Sequence, residues 1–111
     1  MSDKNSEPPE HLREESKRIW RAIVNDCDMD AGAMVILLTL CDANDRRLQA
    51  RESIEEAGSP FVKDRFGIVK GHPGLALERD ATLVMQRAYR LLGLDQEPRT
   101  QQGELFREVR R

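Results

Sequence analysis

The alternation Asp26, Asp28, Asp30, followed by Gly32, sets three carboxylates at the spacing that opens a calcium loop of the EF-hand kind. Counted from Asp26, the turn glycine position holds Ala31 and the bidentate glutamate position holds Leu37. A cation there would lack both the sharp turn and the closing ligand. The three carboxylates are instead expected to accept from the open amides of a helix start and to favour its positive dipole end. Cys27 and Cys41 have no companion Cys or His at ligand spacing and read as small apolar residues in helices. His11 and His72 stand at helix starts beside no nucleophile, as surface or capping residues. The sequence has no Gly-rich loop ending in Gly-Lys-Ser/Thr, no paired histidines at helical spacing and no Gly-x-Ser-x-Gly. It therefore predicts no enzyme, no metal and no cofactor.

What remains is the chemistry of charge. Arg13, Lys17, Arg18 and Arg21 share the outer side of a first helix, and Arg107, Arg110 and Arg111 form a basic cluster near the last residue. Both sets suit phosphate contacts, although such a run is also the ordinary solvated face of an amphipathic helix. Lys63, Arg65 and Lys70 form a third basic segment. The total of 18 basic and 20 acidic groups is nearly neutral, so only the distribution carries information. Residues 26 to 60 hold eight acids against three arginines, whereas residues 61 to 90 hold six basic groups against three acids. Surfaces of opposite sign on one small domain can meet head to tail in a ring or present one face to DNA.

The elements that carry these groups follow from apolar spacing. Residues 1–9 read as a flexible polar leader, closed by Pro8 and Pro9, which cannot continue a helix. From about Glu10, Leu12, Ser16, Ile19, Trp20, Ile23 and Cys27 advance in steps of three and four and define one stripe. A second helix is expected from about Ala31 to Ala57, stopping at Gly58. Its first half, Met34 to Cys41, is apolar almost all round and belongs at the centre of the subunit or at a subunit boundary. Its stripe, Ile36, Leu40, Ala43, Arg47, Ala50, Ile54 and Ala57, follows heptad spacing with Arg47 out of character.

Ser59 to Gly71 is too short and mixed for a helix and reads as a loop or small hairpin. Pro73 suits the first turn of a third helix, whose stripe Leu77, Ala81, Val84, Ala88 and Leu91 leads to a cap at Gly93. The predicted fold is all-α: three main helices with a long antiparallel helical hairpin, a loop or β-hairpin between helices 2 and 3, and a short C-terminal helix. One domain spans 10–94 and a polar, basic tail spans 95–111. A core this small with 34% charged residues suits a chain that oligomerises, through Ile36 and Leu40 of helix 2 and Leu77, Ala81, Val84, Ala88 and Leu91 of helix 3. The polar opening carries no secretory signal, and the apolar run Ala33 to Cys41 is too short to span a bilayer, so a reduced cytosolic setting without membrane partners is expected.

A pattern across residues 8 to 99 adds to this reading. Pro9-Glu10-His11-Leu12, Glu14 to Trp20 leading into Ile23, Leu40-Cys41-Asp42-Ala43, Gly67, Lys70, His72-Pro73-Gly74-Leu75, and Leu91-Leu92-Gly93-Leu94 followed by Pro98-Arg99 stand in one order and spacing. Together they resemble the short, prophage-type small subunits of phage terminases. Arg13 replaces the Ser or Thr cap usual there, and Asp95-Gln96-Glu97 precedes Pro98-Arg99 where that family has Thr-Pro and Ser-Arg. The resemblance implies a homo-oligomeric ring in the bacterial host cytoplasm that binds phage DNA and modulates the ATPase and nuclease of the terminase large subunit. A dimeric helical DNA-binding regulator and a purely structural helical module without DNA binding are the competing readings.

Overall fold

A computed structural model describes residues 7–95, in the order α1 (Glu14–Asp26), α2 (Ala31–Ala57), β1 (Phe61–Lys63), β2 (Val69–Gly71) and α3 (Pro73–Leu91). The architecture is mainly helical, with one two-stranded antiparallel sheet in place of the loop alternative, so it is not strictly all-α. The short C-terminal helix expected around Leu105, Phe106 and Val109 lies outside the described residues. No helix among the described residues is long and apolar enough to cross a membrane.

Local punctuation sets most boundaries. Asp30 caps α2 by accepting from the Ala33 amide at 2.8 Å, and Gly58 ends it in the left-handed conformation with φ 78°. At the start of α3 the His72 imidazole accepts from the Gly74 amide at 2.8 Å, and Pro73 occupies the first turn. Its far end closes in a Schellman arrangement, in which Gly93 at φ 76° donates to the Arg90 carbonyl and Leu94 to that of Tyr89. Helix α1 begins four residues later than its stripe suggested. Pro9 to Leu12 forms a turn closed by the Leu12 amide on the Pro9 carbonyl, and Leu12 still reaches the core from that turn.

Helices α2 and α3 pack antiparallel, and small residues let them approach closely. Gly74 is buried, and a Cβ there would lie 3.0 Å from the Ala50 carbonyl oxygen and from Ile54 Cγ1. Ala81 and Ala88, farther along α3, are buried on the same side. Helix α1 folds back along the first half of α2, so Leu12, Trp20, Leu37, Leu40, Cys41 and Ala88 form one core drawn from all three helices. The apolar front half of α2 is thus central, flanked by α1 and α3, although Val35 on its outer side stays exposed.

Candidate nucleic-acid interface

The basic residues of the first helix divide into two kinds. Arg13 is an internal clamp rather than a free cation. Its guanidinium forms a bidentate pair with Glu52 at 2.6 and 2.9 Å, and its backbone amide donates to the Asp45 carboxylate at 3.2 and 3.3 Å. The Glu52 carboxylate is held below its ordinary range by the Arg13 hydrogen bond, and the Arg13 guanidinium is raised by the same bond. Lys17 lies 3.7 Å from Glu14 with its side chain only 19% exposed. Arg18 and Arg21 are exposed and take no partner among the described residues, so they are the free, solvent-facing cations of this helix. Arg107, Arg110 and Arg111 lie outside the described residues.

Much of the acidic surplus of α2 is likewise used inside the subunit. His11 Nε2 meets Asp42 Oδ1 at 2.7 Å; in the opposite sense Arg51, a base of α2, forks onto the acid Glu78 of α3 at 2.8 to 3.0 Å. Asp45 also accepts from the hydroxyl of Ser16, which is fully buried and itself accepts from Asn44 Nδ2 at 3.1 Å. Arg47, the residue out of character in the α2 stripe, donates to Asn44 Oδ1 at 3.2 and 2.8 Å. The network leaves no buried side-chain nitrogen or oxygen unpaired among the described residues. Sequence reasoning missed Asp45 and Asn44; the polar interruptions Ser16 and Arg47 in apolar stripes were the signal for them. Next to this network Cys41 donates to the Ser16 carbonyl at 3.5 Å, and burial, with Asp42 and Asp45 nearby, pushes its thiol up to about 12. It is a protonated packing residue.

The third basic segment is the β-hairpin. Phe61 pairs with Gly71, Val62 with Lys70 and Lys63 with Val69. The Gly67 amide donates to the Asp64 carbonyl at 2.9 Å and Gly67 has φ 82°, which puts Arg65 and Phe66 at the tip of a tight turn. Asp64 braces that turn by accepting from the Phe66 amide at 2.8 Å and the Ile68 amide at 3.0 Å, with Lys70 Nζ at 3.4 Å. These donors, led by the Ile68 amide, hold its carboxyl below the ordinary range. A lowered folded pKa means that the bracing is present above the free carboxyl's range and lost as pH falls through the lowered value. The amide resonances of Phe66 and Ile68 are therefore expected to titrate together with Asp64, at a midpoint below that of a free aspartate. Amides indifferent to that titration would show that the turn is not held this way.

The residues expected at a subunit boundary also separate. Leu40, Ala81 and Ala88 are buried within the subunit, and Ile36 is half-buried against the core. Leu77 and Leu91 remain 59% and 72% exposed, with the half-buried Val84 between them on the same edge of α3. Leu77, Ala81 and Val84 face Gln49, Ala50 and Ser53 of α2 across a groove of about 520 Å³. Among the described residues no group of three or more His, Cys, Asp or Glu is arranged to hold a metal ion, and Asp26 and Asp28 make no cap. No family model, curated protein or solved structure matches this chain.

Proposed function

We propose that this chain is the small subunit of a phage terminase: a non-catalytic DNA-packaging protein that assembles as a homo-oligomeric ring in the host cytoplasm, binds phage DNA and regulates the large motor and nuclease subunit. The observation that carries this reading is that the scattered segments of the resemblance hold the fold's corners. His11 of the opening segment meets Asp42 of the Leu40–Ala43 segment, His72 and Gly74 cap α3 and seat it on α2, and Gly93 closes its far end. The exposed Leu77 and Leu91, with the half-buried Val84 between them, supply an apolar row on α3 for contact between copies. Arg18 and Arg21, repeated around such a ring, would multiply a phosphate site too weak in one copy.

Native mass measurement together with a salt titration of DNA binding tests the reading. The wild-type chain is expected as a ring of several copies that binds duplex DNA with a steep salt dependence. Leu77→Asp combined with Leu91→Asp should give folded monomers, because both side chains already face solvent and their loss opens no cavity in the core. A wild-type monomer at micromolar concentration, or a ring indifferent to DNA at low salt, would sink the proposal. A dimer selective for a palindromic site would favour the regulator instead.

A further inference from the structure

We propose that the Arg65–Phe66 tip of the β-hairpin is an apolar wedge for duplex DNA, with Phe66 seated against a base step and Lys63, Arg65 and Lys70 on the flanking phosphates. The proposal rests on the DNA-binding reading above and names the element that touches the bases.

Phe66 is 75% exposed and Ile68, beside it, is 56% exposed. Large apolar side chains at the tip of a two-stranded hairpin gain nothing from the fold, and such a hairpin is marginal by itself in water. The tip is nevertheless braced. Asp64 collects two backbone amides and faces Lys70, and the Arg65 guanidinium carbon stands 5.2 Å from the Phe66 ring centre. A turn held in one shape while it presents an aromatic ring to solvent loses little freedom on docking.

Charge selects the partner. The hairpin carries three cations against Asp64 alone, and Lys63 and Arg65 face solvent. Glu55 and Glu56, the preceding acids in the chain, lie on the last turn of α2, before Gly58, and form no ion pair with the hairpin among the described residues. A two-stranded ribbon is narrow enough to enter a DNA groove. An aromatic or aliphatic side chain beside arginine and lysine is the usual composition of a wedge that partly unstacks a base step. A protein surface would have to neutralise those cations as well as cover the ring.

Phe66→Ala and Lys63→Ala/Arg65→Ala are to be compared with the full wild-type chain, reading native mass and affinity for a 30-base-pair duplex across a salt titration. Phe66→Ala should weaken binding about 10-fold or more with the salt slope unchanged, because stacking releases no counterions. Lys63→Ala/Arg65→Ala should lower both affinity and slope. Phe66→Trp should retain binding and add a fluorescence signal that is quenched when duplex is added, whereas the signal of the wild type, from the buried Trp20, stays nearly constant. Wild-type affinity in Phe66→Ala would overturn the wedge while leaving the packaging role intact. Loss of the oligomer in that variant would also overturn it, assigning the tip to a contact between copies. A wild-type chain that fails to bind DNA at all would remove both readings.

Discussion

Asp45→Ala is expected to loosen the docking of the first helix on the second and to cost about 3 kcal/mol of stability. Among the described residues Asp45 is the only acceptor for the Arg13 backbone amide, and it also accepts from the hydroxyl of the buried Ser16. Without it the Ser16 hydroxyl and the neighbouring Asn44 side chain, both buried, must find new partners, while the half-buried Arg13 amide loses its acceptor. A buried group that loses its partner costs its full desolvation penalty, which exceeds the net value of an ordinary hydrogen bond. Asp45→Asn keeps one acceptor oxygen and should lose less. Ser16→Ala removes a donor together with its demand and should fall between the parent and Asp45→Ala. Urea titration of the three variants gives the order directly. An Asp45→Ala unfolding free energy within about 0.5 kcal/mol of the parent would mean that the network contributes nothing to docking α1.

Charge reversal at Arg18 with Arg21 is expected to weaken DNA binding about 100-fold at moderate salt while mass and fold stay as in the parent. The two residues stand three apart on α1, so they are neighbours on one face, and neither has an ion pair to lose among the described residues. Reversal replaces two attractions per copy by two repulsions, and an assembly repeats that change at every subunit. Lys17 is a poorer choice than its place in the first-helix cluster suggests, since its side chain is mostly covered beside Glu14. Removal of residues 104–111, with Arg107, Arg110 and Arg111, should add to the loss. Unchanged binding across a salt titration in the Arg18/Arg21 variant would move the DNA surface entirely to the hairpin with Lys63, Arg65 and Lys70.

Helix α2 from Ala31 to Ala57, its stop at Gly58, the start of α3 at Pro73 and the turn at Gly93 were legible in residue order. The buried face of α2 was legible in part: Leu40, Ala43, Ala50 and Ile54 of the stripe are buried, whereas Ile36 and Arg47 are half-buried, Ala57 is exposed, and Leu37, Cys41 and Asn44 beside the stripe are buried as well. These features depend on backbone conformations and side-chain periods within a few residues, where sequence and geometry are nearly the same information. The cap of α1 was not legible in this way. Arg13 occupies the cap position without a side-chain bond there, and Asp45, 32 residues away, accepts from the amide of Arg13 itself rather than from the open amides of the first turn.

The candidate site divides along the same line. Residue types alone marked Arg13, Lys17, Arg18 and Arg21 as one basic face, because helical spacing reports which side chains lie together. It cannot report which of them meet an acid on another element. Docking of α1 on α2 spends Arg13 on Glu52, 39 residues away, and leaves Arg18 and Arg21 in solvent. In α3 the spacing identified an apolar stripe from Leu77 to Leu91, whereas packing against α2 buried Ala81 and Ala88 and left the two leucines outside. An amphipathic period states that a face must be covered; only the approach of a second helix decides which half of it is covered from within the chain and which half is left for another molecule.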